Sequence, residues 1–336
     1  MKILLIHTME RTYYPNGQIK EEMWNRVNNI TEPTYHNDNG PAYQSWFING
    51  QRKSVIYQVH NEFHNDNGPA YQSWHFNPMF NIDCKSWEDD LCIPKKIAYY
   101  RNGEYDRKDG PAIQVRYKSG QLRKEQYWVN GLQHRDIKPA VREWYKNGQL
   151  YLKEYWTNGN LHHLDKPARQ MWHINKQIHT EEYWNNTEYH REEGPAILKW
   201  DLNGNLIQMS NMVNGRYRID TKEPAEQKWV NGLHNLCSWR LDEHSYKVDH
   251  YRNGIKIDTI YRYHYKTHCE HGPAILKYYS SGKIKEQRYY INDKLHNEDG
   301  PAILKWDEEG NIINQLWYYD GIEQDSIITK RALETF

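Results

Sequence analysis

Residues 139–166 read PAVREWYKNGQLYLKEYWTNGNLHHLDK, and this stretch decides the fold. From Ala140 to Tyr145 the chain alternates and ends in aromatics, as a strand does. Asn147-Gly148 is a strong short-range hairpin signal, because Gly accepts positive φ and Asn tolerates it better than most residues. Tyr151 to Trp156 reads as the return strand, and Asn158-Gly159 turns the chain again. His162 to Pro167 closes the unit with a polar loop, preceded by a short third strand piece at Leu161-His162. A proline at the start of the following strand breaks no ladder, since no donor is needed there.

The unit recurs. Pro-Ala stands at Pro41, Pro69, Pro111, Pro139, Pro167, Pro195, Pro224, Pro273 and Pro301, with successive spacings of 28, 42, 28, 28, 28, 29, 49 and 28. Five residues before the proline lies His36, His64, His134, His162, His190, His268 or His296; Asp106 and Ile219 are the departures. Gly precedes the proline except at Lys138, Lys166 and Glu223. Five residues after it the aromatic recurs, as in Trp144, Trp172, Trp200 and Trp306, and Trp156 marks the return strand. Two stretches break the rhythm, Tyr71 to Lys108 and Val230 to His271; they hold all four cysteines and read as degenerate units or insertions. The chain therefore divides into N-terminal repeats 1–70, an irregular unit 71–108, regular repeats 109–229, an irregular insertion 230–271, C-terminal repeats 272–326 and a tail 327–336 that reads as a short helix or coil.

These signals give an all-β fold. Consecutive hairpins pair with their sequence neighbours, so the expected architecture is an elongated antiparallel meander of about nine hairpin repeats, a twisted single-layer or curled sheet. Two strands per unit advance the sheet by about 10 Å. Trp144, Trp156 and their counterparts are expected to stack into aromatic ladders that carry most of the apolar burial.

Composition narrows the function. Lys+Arg and Asp+Glu both number 44, so no basic excess exists for a nucleic-acid footprint. The chain has 14 Trp and 28 Tyr against 5 Phe, which suits half-wet sheet faces. Cys84, Cys92, Cys237 and Cys269 form no C-x-x-C pair, so free thiols in a reducing, cytoplasmic setting are expected. Ile3 to Ile6 is too short for a signal-peptide core, and no stretch is long enough to span a bilayer as a helix.

The hairpin unit in Tyr13-Tyr14-Pro15-Asn16-Gly17-Gln18-Ile19-Lys20-Glu21-Glu22, and again in Trp144 to Leu150, resembles the MORN-type repeat in a divergent variant. The pattern of Trp128 to Ala140 is similar to repeat proteins encoded by large DNA viruses and some phages. The resemblance implies a β-hairpin repeat fold and a scaffolding, interaction or membrane-association role, in host cytoplasm or virion if the source is viral.

The recurring histidines invite a metal or general-base reading. Neighbouring copies should stand about 10 Å apart, too far to share one zinc, so they read as structural, bonding across the four-residue turn to the following Gly-Pro. His264, His268, Cys269 and His271 form one denser cluster whose donor types suit zinc or copper. No phosphate-binding loop, dinucleotide fingerprint or nucleophile elbow occurs. The expected function is a non-catalytic repeat scaffold, without cofactor, for protein partners or self-assembly. The alternatives are a phospholipid-associating module and a metal-dependent enzyme at residues 264–271.

Overall fold

The computed structural model describes residues 6–27, 34–37, 39–78, 93–220 and 222–324. The tail 327–336, which reads as a short helix or coil, and Cys84 and Cys92 lie outside them. The described residues contain no helix, and the strands form an antiparallel meander of hairpins. The chain divides into two compact units, 1–177 and 178–336.

In the first unit, the hairpin Ile6–Tyr13/Ile19–Val27 is followed by Tyr43–Trp46/Arg52–Ile56, Tyr71–Trp74/Pro94–Ala98, Ile113–Arg116/Leu122–Gln126 and Val141–Trp144/Leu150–Glu154, then by Arg169–Trp172. Each return strand pairs with the outgoing strand of the next repeat, as in Glu125↔Arg142 and Lys153↔Gln170. The second unit repeats the scheme, with Met209↔Gln227, Thr259↔Leu276 and Gln287↔Leu304 joining successive hairpins.

Each repeat also carries a two-residue ladder of its own. Trp156–Thr157 pairs with Asn160–Leu161, and Trp128–Val129 with Leu132–Gln133. Trp156 thus belongs to this small hairpin and not to the return strand, which ends at Glu154. The two Asn-Gly pairs of a repeat adopt different turns. At Asn158-Gly159 both residues have positive φ, 47° and 78°, the primed two-residue turn whose twist matches its strands. At Asn147-Gly148 only the glycine is left-handed, at 82°; its N–H bonds to the Tyr145 carbonyl at 2.9 Å, and the register slips between Glu143 and Trp144. That is a type I turn closed by a bulge, and the same slip falls just before Trp46, Trp200 and Trp306.

Burial is distributed differently from the tryptophan-based expectation. Trp144, Trp156, Trp172, Trp200 and Trp306 are each half-buried. In all but one repeat the alanine after proline is fully enclosed: Ala42, Ala70, Ala112, Ala140, Ala168, Ala196, Ala274 and Ala302 have no exposed surface, and Ala225 is 3% exposed. Ala140 donates to the Glu154 carbonyl of its own hairpin and accepts from Tyr127 N–H of the preceding one, both at 2.8 Å. With both backbone groups committed to different repeats, the seam closes over a methyl group and leaves no room for more. The aromatics do form a ladder along the small hairpins, Phe63–Tyr100–Tyr105–Trp128, with ring centroids 4.7, 4.2 and 5.3 Å apart.

Both irregular stretches continue the meander. Tyr71–Trp74 pairs antiparallel with Pro94–Ala98, with the same slip before Trp74. In 230–271 the chain builds three long strands, Leu233–Arg240, Ser245–Arg252 and Ile255–Tyr263, an added hairpin inside the sheet and not a loop insertion.

Candidate functional site

The loop that carries the histidine is held on a frame that recurs from repeat to repeat. His134 N–H donates to the Tyr127 carbonyl at 3.1 Å, which anchors the loop to its own repeat. The ring then reaches into the next repeat: Nδ1 of His134 accepts the N–H of Asn158 at 3.1 Å. The same bond joins His36 to His60, His64 to Asn102, His190 to Asn214, His268 to Asn292 and His296 to Asp320, at 3.1 to 3.2 Å. Every donor is the first residue of a primed turn, with φ between 47° and 53°. The predicted structural role therefore has a different partner from the following Gly-Pro: the imidazole staples neighbouring repeats. Except at His190, where Asn214 Oδ1 also stands 2.8 Å from Nδ1, an accepting Nδ1 places the ring proton on Nε2. That nitrogen faces a carboxylate two residues on in His64–Asp66 at 3.2 Å, His134–Asp136 at 3.3 Å and His296–Glu298 at 3.4 Å. His162 departs: its Nδ1 is buried with no hydrogen-bond partner among the described residues.

The two exceptions to the histidine rule are informative. Asp106 uses Oδ1 to accept the Asn130 N–H at 3.0 Å, so a carboxylate replaces the imidazole without loss of the staple. Ile219 has no acceptor and is exposed.

The residue after the histidine holds the loop's far side. Arg107, Arg135 and Arg191 lay their guanidinium groups 3.6 to 3.9 Å from the ring centroids of Tyr99, Tyr127 and Tyr183. Each also donates to the carbonyl of the proline four residues on, at 3.2 Å. Where asparagine stands instead, as at Asn37, Asn65 and Asn297, its amide makes the same bond at 3.0 to 3.1 Å. His163 is the variant: its Nδ1 accepts from the N–H groups of Asp165 and Lys166, both at 3.2 Å. Burial, then the Lys166 charge, holds His163 below the ordinary imidazole range.

Between successive loops lies a groove. One of about 890 Å³ runs between residues 39–41 and 64–69, over Val55, Tyr57 and Val59. The equivalent groove between Arg107–Gly110 and His134–Asp136 encloses about 320 Å³. Their walls are amides and charges, their floors aliphatic and tyrosyl.

A third cleft, about 560 Å³, lies by the long strands, where His250 Nδ1 and Asp258 Oδ1 stand 2.6 Å apart. Cys237 belongs to the neighbouring row with Asp249 and Thr259, not with His250. Burial, then the Asp249 charge, raises its thiol pKa, which keeps the sulfur protonated and poorly nucleophilic. Tyr251 is pushed up to about 12 by burial, then by Cys237 and Asp249. Among the described residues, no three His, Cys, Asp or Glu side chains converge as a metal site, and His264, His268, Cys269 and His271 are not brought together as one. His264 instead occupies a tight turn at φ 46° and stacks on His244 at 4.0 Å.

No family model and no curated protein matches the chain. Among solved structures it is similar to a TcdB2-TccC3 crystal structure at 10% identity and a TM-score of 0.17, covering 96% of this chain and 20% of that one. The corresponding TcdB2-TccC3-Cdc42 structure gives 9% identity and a TM-score of 0.14, covering 85% and 17%. The chain thus spans about a fifth of the solved chains it matches, and similarity at this level bears on neither fold nor function.

Proposed function

We propose that the chain is a non-catalytic repeat scaffold that carries protein partners on its rim of His-x-x-x-Gly-Pro loops. One observation carries this reading. The histidine and the residue after it are bonded inward to backbone, while the two residues that follow vary between repeats, from Asp66-Asn67 to Lys108-Asp109 to Asp136-Ile137. A constant frame with variable tips is the arrangement by which a repeat array presents a binding surface.

The test is affinity capture of the tagged chain from its native lysate, compared with a variant whose tip residues are all serine. A stoichiometric partner retained by the natural chain and lost by the variant supports the reading. Capture of the same partner by both variants, or of none, overturns it.

A further inference from the structure

Two neighbouring loops break the polar rule of the rim. Two residues before the proline every other repeat has a polar side chain, as in Asn39, Asp109 and Asp299, but here Ile137 stands. Three residues before it the other repeats are likewise polar, as in Asp66, Glu192 and Glu298, but Leu164 occupies the place in the next loop. Ile137 is 95% exposed and Leu164 is 85% exposed.

Ile137 is also strained. Its φ is +62°, and Lys138 N–H bonds back to the Asp136 carbonyl at 2.6 Å, a three-residue turn with a β-branched residue at its centre. Glycine or asparagine would hold this turn at lower cost. A strained aliphatic side chain held in water in one repeat, beside a second in the next, serves no packing within the chain.

We propose that Ile137 and Leu164 form a paired anchor through which two copies of this chain associate. The tips belong to consecutive repeats, so they stand about 10 Å apart. Their flanks carry Asp136 and Lys138 on one loop, Asp165 and Lys166 on the other, an equal number of each sign. Such a patch is self-complementary about a two-fold axis: Ile137 of one copy meets Leu164 of its partner, Asp136 faces Lys166, and Lys138 faces Asp165. An anionic bilayer would instead meet two carboxylates at the tips, which disfavours a lipid occupant. Two loops cover less than the roughly 1,200 Å² of a stable interface, so the dimer is weak, with a Kd of about 10–500 µM.

The proposal rests on the rim being the interaction surface, but it fails separately, since a monomeric chain that still captures a foreign protein overturns the dimer alone. Sedimentation equilibrium of the full chain, from about 1 µM to about 1 mM at low salt, should show the mass rising from 40.7 kDa toward twice that value. Ile137→Asn with Leu164→Asn should weaken association at least about tenfold with an unchanged circular dichroism spectrum, because asparagine suits positive φ. A charge test covers any loss of fold in that variant. Lys138→Asp with Lys166→Asp should be monomeric alone and dimerise when mixed with Asp136→Lys, Asp165→Lys chains. A mass of 40.7 kDa throughout, or association untouched by both sets of changes, overturns the proposal. So does a monomer that pellets with phosphatidylserine vesicles through Ile137.

Discussion

An imidazole nitrogen at 134 and a carboxylate oxygen at 106 meet the same kind of partner, the N–H of an asparagine held at positive φ. His134→Asp should therefore leave the melting temperature nearly unchanged. His134→Leu orphans the Asn158 N–H and should cost about 1–2 kcal/mol, read by thermal denaturation. His163 gives the pH dependence. Its folded-state pKa lies below the ordinary value of 6.5, so the neutral ring is the stabilising form. That contribution is complete above pH 6.5 and is lost as pH falls through 6.5 toward the lower folded value. His163→Asn, which places in this loop the residue used at Asn37 and Asn65, should flatten this part of the profile. Melting curves between about pH 8 and pH 5 decide it; an equal slope in both proteins would remove the assignment.

At the scale of the element, the seam between hairpins rests on alanine and on charge clamps. Ala140 has no exposed surface and both of its backbone groups are bonded across the seam, so Ala140→Leu should cost about 1–3 kcal/mol by overpacking. The clamp beside it joins consecutive repeats: Arg169 Nε meets Glu154 Oε1 at 2.7 Å, and Trp156 Nε1 donates to Glu154 Oε2 at 2.9 Å. Arg142 and the buried Glu125 form the equivalent pair one repeat earlier. Strand positions and turns were legible because alternation and Asn-Gly are local signals. The choice between the two turn types was not. It depends on whether the flanking strands continue in register, as at Asn158, or slip at a bulge, as before Trp144.

For the whole molecule, each repeat leans on its neighbours through bonds that span 24 to 28 residues, such as Asp106 to Asn130 and Tyr117 Oη to the Trp144 carbonyl at 2.8 Å. Excising residues 112–139, one full period, sets Asn158 where Asn130 stood and Ala140 where Ala112 stood. That deletion should keep one cooperative urea transition with a smaller m-value, whereas excising 112–125 should abolish it. The sequence by itself determined the all-β class, the 28-residue repeat and the place of nearly every regular hairpin, since these follow from short-range alternation and from residues that tolerate positive φ. Only the tertiary structure decided what the histidine bonds, that alanine closes the seam while Trp144 and most of its counterparts, Trp74 excepted, stay half-wet, that 233–263 adds a hairpin, and that Ile137 is left in water. Those features depend on which groups a neighbouring repeat brings opposite, and a partner two dozen residues away leaves no mark in the local pattern.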